Sequence, residues 1–81
     1  MKLEITLKST AGLHASLASK IVHISSMYDA TVIVEYDYQT VDAKSILGLM
    51  SLAVPSGENV KIIATGNEAD KALKDLQKIL G

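Results

Sequence analysis

The chemistry that this sequence offers begins at a histidine in the segment G-L-H-A-S-L-A. Gly12 permits a sharp turn of the backbone, so His14 falls at or just before the start of a predicted helix. The N–H groups of Ala15, Ser16 and Leu17 then have no partner inside that helix, and with the helix dipole they attract an anion. Since a neutral imidazole is a competent nucleophile, the segment predicts either a phosphoryl acceptor or, more commonly at a helix start, a capping residue.

A second candidate is Ser45, which precedes a short apolar helix, I-L-G-L-M-S-L. A phosphate on Ser45 would add about −1.5 to −2 charge at a helix N-terminus, where negative charge is favoured, although serine is also a common N-cap. Leu47 lies off the apolar stripe that Ile46, Leu49 and Met50 form. Two interpretations stay open: a helix wedged deeply into the core, or an exposed docking patch in which Met50 is a contact residue.

The elements that must position these residues follow from hydrophobic periodicity. Alternation predicts two strands with one buried face, and steps of three and four predict two amphipathic helices. The predicted buried positions are Leu3, Ile5, Leu7, Leu17, Ile21, Ile24, Tyr28, Val60, Ile62, Ala64, Ala69, Ala72, Leu73, Leu76 and Leu80. The runs 31–36 and 39–42 predict a hairpin around Asp37 and Tyr38, whose turn lacks the usual glycine.

The ends of the helices are marked by other residues. Pro55 and Gly57 are expected to end the short helix, and Asn67 is expected to cap the last helix, with Asp70 in its first turn. The resulting order, βαββαβα, favours an α+β sandwich in which helices cover one face of an antiparallel sheet. Ferredoxin-like domains share the first six elements, so the order alone does not decide the fold.

Composition limits the class of protein. A chain of 81 residues with no cysteine is expected to form a single domain, over residues 1–81, without disulfides or thiolate metal sites. Its net charge of −1 argues against a surface that binds nucleic acid. The N-terminal segment M-K-L-E-I-T-L-K lacks the apolar region of a signal peptide, and no apolar run is long enough for a membrane span. We expect a cytoplasmic protein with no metal, cofactor or membrane insertion.

The segments G-L-H-A and V-D-A-K-S-I-L-G-L-M-S-L-A-V, taken with the element order, resemble the HPr family of histidine-containing phosphocarriers in the bacterial sugar phosphotransferase system. The resemblance covers essentially the whole chain. It implies an HPr-like open-faced β-sandwich with the strands in the order first, fourth, second, third and three helices on one face. It also implies that His14 takes a phosphoryl group from Enzyme I on Nδ1 and passes it to EIIA domains.

The same resemblance implies roles for the short helix. Ser45 matches the serine that an HPr kinase/phosphorylase modifies in carbon catabolite repression, and Leu47 and Met50 match an apolar patch for Enzyme I, EIIA and a catabolite-control transcription factor. A monomeric carrier without catalytic activity of its own is expected.

The sequence departs from the family pattern directly after the histidine. Ser16 and Leu17 stand where arginine and proline are usual, and the chain has no arginine. A hydroxyl does not replace the two-pronged hydrogen bonding of a guanidinium. Lys20, one turn beyond Ser16, could reach back towards a phosphate on His14, although a solvated surface lysine is the simpler interpretation.

Three functions therefore stay open. The leading one is a phosphocarrier that uses His14, and the second is a regulatory paralogue that acts mainly through Ser45. The third is a ferredoxin-like sensor or RNA-binding domain, and the absence of stacking aromatics counts against RNA binding.

Overall fold

The computed structural model describes residues 1–81 and contains seven elements in the expected order βαββαβα. The strands are β1 (Lys2–Thr6), β2 (Thr31–Tyr36), β3 (Gln39–Asp42) and β4 (Asn59–Thr65), and the helices are α1 (Ala15–Met27), α2 (Ile46–Ser51) and α3 (Ala69–Leu80). The strands form one antiparallel sheet in the order β1-β4-β2-β3, and the three helices cover one of its faces, which confirms the expected fold.

Strand alternation builds the core. In the middle of the sheet, Ile62 of β4 is the register partner of Leu3 on one side and of Val34 on the other, so these side chains point to the same face. Ile62 and Val34 are buried, whereas Leu3 is half-buried because β1 is an edge strand. Twenty buried apolar residues from all layers form one continuous cluster. The predicted faces of the strands are thus confirmed.

The hairpin between β2 and β3 has the predicted two-residue turn. Asp37 and Tyr38 both have positive φ, 52° and 64°, which is the backbone conformation of a type I′ turn. Neither residue is glycine, although a left-handed backbone favours glycine. The turn forms nevertheless because its twist matches that of the flanking strands.

One predicted helix cap was wrong, and one helix ends for a different reason than predicted. The N-cap position of α3 is Glu68 rather than Asn67, and the Glu68 side chain makes no capping hydrogen bond. The Asn67 amide Nδ2 instead donates to Asp29 Oδ2 at 3.2 Å. Helix α2 ends at Ser51, within one residue of the predicted segment I-L-G-L-M-S-L. It ends before Pro55 is reached, because Ala53 adopts a left-handed backbone with φ 52° and its N–H donates to the carbonyl of Met50 at 3.1 Å.

Helix α1 packs through a face that is smaller and more polar than predicted. Leu17 and Ile21 are buried as expected, but Ile24 is only half-buried and Ser25 takes a fully buried position. Tyr28 follows the helix, and its hydroxyl donates a hydrogen bond to the Asp75 carboxylate of α3. None of the three helices combines the length and apolar character needed to cross a membrane.

Candidate functional site

The loop that carries His14 is fixed by contacts with the segment after α2. The buried Leu13 donates its N–H to the Val54 carbonyl at 2.9 Å. Gly12 has φ 70°, and a Cβ on it would lie 2.4 Å from the same Val54 carbonyl oxygen. No side chain can be accommodated at such a distance, so the glycine is required by close approach as well as by its backbone conformation.

His14 is the N-cap of α1. Its backbone is extended, with φ −93° and ψ 175°, and its carbonyl accepts from the N–H of Ala18 at 2.9 Å. The imidazole does not cap the helix, makes no hydrogen bond to any other group of the chain, and is half-buried. The backbone of His14 therefore serves the helix while its side chain stays available for chemistry.

Three unpaired backbone N–H groups directly follow His14 in the chain. The N–H groups of Ala15, Ser16 and Leu17 open α1, and no acceptor in the chain binds them. The first turn contains no acidic residue, and between Glu4 and Asp29 there is no carboxylate in the sequence. Free helix N–H groups without a competing negative charge are suited to hold phosphoryl oxygens.

The side chains of Ser16 and Lys20 make no polar contact with His14. Ser16 is exposed, and no hydrogen bond or ion pair joins Lys20 to His14. Lys20 instead borders an open groove with His23 and Ile79, which does not include His14. The three unpaired N–H groups therefore follow His14 directly in the chain, whereas no hydrogen bond joins Lys20 to His14.

Ser45 is the N-cap of α2, as the sequence predicts. Its Oγ accepts from the Gly48 N–H at 3.0 Å, and the residue is half-buried. A Cβ at Gly48 would come within 3.0 Å of that Oγ and 3.2 Å of Val41 Cβ. The missing side chain of Gly48 thus lets α2 begin close to both the cap and the sheet.

Helix α2 exposes an apolar patch. Leu47 is 82% exposed, Met50 42% and Ile46 41%, whereas Leu49 is fully buried. Of the two interpretations of this helix, the deeply wedged one is therefore wrong. The amphipathic stripe predicted from Ile46, Leu49 and Met50 places only Leu49 in the core.

The whole sequence, residues 1–81, matches the family described as the PTS HPr component phosphorylation site. The chain belongs to the HPr family. It is 43% identical to the HPr-like protein Crh of Bacillus subtilis over 75 residues, which cover 93% of this chain and 86% of Crh. It is 37% identical to the phosphocarrier protein HPr of Pseudomonas aeruginosa over 79 residues, covering 96% of this chain and 88% of that protein.

Solved structures of the HPr family have the same fold. The crystal structure of the phosphocarrier protein HPr from Bacillus anthracis superposes with a TM-score of 0.95 at 32% identity, over 100% of this chain and 96% of that one. A crystal structure of Crh from Bacillus subtilis, described as a dimer with a swapped domain, superposes with a TM-score of 0.78 at 38% identity, over 90% and 84% of the two chains. These matches exclude the ferredoxin-like alternative.

Sequence reasoning missed one part of this HPr-family site. Ala53 and Val54 lie after α2 and far from His14 in sequence, yet the Val54 carbonyl holds the loop before α1. Gly12 was the available signal, since a glycine next to a candidate nucleophile can mark a backbone contact as well as a turn.

Proposed function

We propose that this member of the HPr family carries a phosphoryl group on His14, taking it from phosphorylated Enzyme I and passing it to EIIA domains. One observation carries the proposal: His14, whose imidazole makes no hydrogen bond, is the N-cap of α1 and directly precedes three unpaired N–H groups. Family membership supports it further, because relatives of this chain are phosphocarriers. The role implies a cytoplasmic protein that forms a phosphorylated intermediate and has no catalytic activity of its own.

The proposed step is a displacement at phosphorus. An imidazole nitrogen of His14, Nδ1 by family resemblance, forms a P–N bond as the bond between phosphorus and the donor breaks. The N–H groups of Ala15, Ser16 and Leu17 bind the phosphoryl oxygens, whose negative charge they stabilise without moving. The reverse displacement on an EIIA domain returns the imidazole to its starting state. The amides replace part of what an arginine at position 16 supplies in relatives.

The test is incubation with Enzyme I and phosphoenolpyruvate, followed by mass spectrometry. We expect an acid-labile gain of one phosphoryl group, located on His14 and not on His23 by fragmentation, and lost in His14→Ala. Absence of the gain with every cognate Enzyme I, or its persistence in His14→Ala, would contradict the proposal.

We propose a smaller role for Lys20, in which its ammonium group approaches the phosphoryl group only after transfer. Side chains on α1 lean towards its N-terminus, so a lysine one turn beyond Ser16 points in the required direction. Lys20→Ala is then expected to shorten the lifetime of the phosphohistidine, with Lys74→Ala as the matched surface control. An unchanged lifetime would remove Lys20 from the chemistry.

A second function is favoured by the 43% identity to Crh, whose structure is described in terms of catabolite repression. In this proposal an HPr kinase phosphorylates Ser45, and the modified protein binds a catabolite-control transcription factor. The Oγ of Ser45 already faces the N–H of Gly48, so a phosphate there would meet the N-terminus of α2. Phosphorylation by HPr kinase should disappear in Ser45→Ala and persist in Ser51→Ala. Equal labelling of the unmodified protein and both variants would contradict this role.

The exposed side chains of Leu47 and Met50 are proposed as the docking patch for these partners. Leu47→Ala and Met50→Ala each remove apolar contact area from the interface but little from the core. Weaker binding of Enzyme I, with no change in thermal unfolding, is expected by calorimetry. Binding equal to that of the unmodified protein would place the docking surface elsewhere.

A further inference from the structure

A groove of about 190 Å³ lies on the face of the sheet that the helices leave uncovered. Its walls come from β1, β2, β4 and the turn between β2 and β3. We call it the sheet groove, and its lining residues are Glu4, Glu35, Tyr36, Asp37, Tyr38, Asn59 and Lys61. None of them belongs to the loop of His14, to α1 or to the apolar patch on α2. The sheet groove is therefore separate from the surface that the proposed function uses.

A row of three charged side chains crosses the sheet groove. Lys61 of β4 is the register partner of Glu4 on one side and of Glu35 on the other, so the three side chains point to the same face. The Lys61 ammonium lies 3.8 Å from Glu35 Oε2 and forms no ion pair with Glu4. Asp37 adds a third carboxylate, which has no ion-pair partner either. The groove thus carries an excess of negative charge that the protein does not neutralise.

Tyr38 borders the sheet groove without contributing to the fold. Its side chain is 100% exposed, and its backbone has φ 64°, a conformation that tyrosine rarely adopts. Glycine is the usual residue at this position of a type I′ turn. A large aromatic ring that neither packs on the core nor suits its turn is better explained by a contact outside the chain.

The chemistry of the sheet groove matches an arginine side chain. A guanidinium donates paired hydrogen bonds to a carboxylate and stacks on an aromatic ring, and the adjacent residues Asp37 and Tyr38 offer one of each. None of the lining residues is buried, whereas sites for small molecules enclose most of their ligand. Glu4 and Glu35 are two strand spacings apart, about 10 Å, which a single cationic group does not span but an extended peptide segment does.

We propose that the sheet groove binds an extended, arginine-containing segment of a partner protein. One guanidinium lies on the Tyr38 ring and the Asp37 carboxylate, and a second basic side chain reaches Glu4. The inference goes beyond the proposed function and does not depend on it, because the groove and the phosphoryl site share no residue. A partner held on the sheet leaves His14 and α2 free, so it can stay bound while phosphoryl groups are exchanged.

The test is a titration of the full chain, at low salt, with a capped synthetic peptide of alternating arginine and threonine, followed by amide NMR shifts. We expect shifts in β1, β4 and the turn between β2 and β3, and none in α1 or α2. Glu4→Lys should weaken binding about tenfold, because it puts a positive charge in the groove. The matched variant Asp70→Lys makes the same change of net charge at an exposed position of α3, and its affinity should stay within about twofold.

The contribution of the aromatic ring is measured at Tyr38. Tyr38→Asn removes the ring but suits the left-handed backbone, and it should weaken binding about threefold to fivefold. Tyr38→Phe keeps the ring and should bind like the unmodified protein. Thermal unfolding of each variant checks that the fold is intact.

Several results would overturn the inference. These are equal affinities for Glu4→Lys and Asp70→Lys, no loss of affinity in Tyr38→Asn, shifts confined to the helices, and a complete lack of binding. Spermidine, a free cation without a guanidinium, should bind at least about tenfold more weakly than the peptide. Equal binding of spermidine and the peptide would overturn the assignment of the groove to a protein segment.

Discussion

The backbone at Gly12 approaches a neighbouring carbonyl more closely than any residue with a side chain can. Gly12→Ala places a Cβ 2.4 Å from the Val54 carbonyl oxygen and forces alanine into a left-handed backbone at φ 70°. We expect a loss of about 2–4 kcal/mol in the free energy of unfolding, measured by urea denaturation.

A matched glycine isolates the steric contribution at Gly12. Gly57 also has a positive φ, 86°, but no atom lies within 4 Å of the position that a Cβ would take there. Gly57→Ala should therefore cost about 1 kcal/mol, from backbone conformation alone. Equal losses in the two variants would show that the contact with Val54 does not determine the conformation of the loop before His14.

Ser25 is a buried residue whose hydroxyl has no hydrogen-bond partner. An unpaired buried hydroxyl destabilises the folded state, so Ser25→Ala should raise the free energy of unfolding by about 1–2 kcal/mol. The matched variant Ser26→Ala changes an exposed neighbour on the same helix and should gain only the difference in helix propensity, about 0.5 kcal/mol. Thermal and urea unfolding measure the change in stability of each variant. A Ser25→Ala protein that is no more stable than Ser26→Ala would contradict the interpretation that the buried Ser25 hydroxyl is destabilising.

Among the elements, α2 ends at a residue that is not suited to its backbone. Ala53 has φ 52°, a conformation in which glycine is favoured over alanine by about 1–2 kcal/mol. Glycine is also freer than alanine in the unfolded chain, which lowers this advantage by about 0.5–1 kcal/mol. Ala53→Gly should therefore stabilise the protein by about 0.5–1 kcal/mol. Ala15→Gly changes a helical residue and should lower the free energy of unfolding. Urea denaturation measures both variants, and a loss of stability in Ala53→Gly as well would contradict the prediction.

The contact between α1 and α3 makes stability sensitive to high pH. The hydrogen bond from Tyr28 to Asp75, together with partial burial and the negative charges of Asp75 and Glu68, raises the pKa of Tyr28 above 10.0. A phenol whose pKa is higher in the folded state stabilises the protein while it is protonated, and this contribution is lost as the pH rises from 10 through the raised pKa. Tyr28→Phe should therefore show a smaller fall in thermal stability between pH 9 and pH 11, about the range of tyrosine ionisation. An identical fall in both proteins would contradict the linkage, and Tyr38→Phe, at a fully exposed tyrosine, is the control.

Periodicity and turn chemistry were sufficient to predict the order of the elements and most of their faces. Ser45 was predicted correctly as a cap because it directly precedes a mostly apolar helix and its Oγ is left to accept from the Gly48 N–H. Asn67 was not, because its amide pairs with Asp29 of a loop that is distant in sequence. The left-handed Ala53 left no signal, since alanine gives no indication of positive φ.

The same distinction applies to the candidate site. His14 and the three amides after it belong to one continuous segment, so sequence alone located them. The Val54 carbonyl and the groove at Ile79 arise from packing between elements, and only the folded chain brings them to α1.

For the molecule as a whole, we predict a monomer in solution, although the Crh relative crystallises as a dimer with a swapped domain. In this chain β1 is held by its own sheet: five register pairs join it to β4, the N-terminal amine donates to the Ala64 carbonyl at 2.7 Å, and Thr6 Oγ1 donates to Asn59 Oδ1 at 2.6 Å. Light scattering during gel filtration should give the mass of one chain, 8.6 kDa, at micromolar concentration. A stable species of twice that mass would contradict the prediction.

The hydrogen bond between the Leu13 N–H and the Val54 carbonyl turns one backbone amide into a local probe. Leu13 precedes the proposed phosphoryl acceptor, whereas Val54 follows the helix that carries the exposed Leu47 and Met50. Solvent exchange of this proton requires the segment after α2 to separate from the loop before α1, so its rate measures how often the two come apart. Slower exchange at Leu13 when a protein binds α2 would mean that docking tightens the support of His14 before any phosphoryl group arrives.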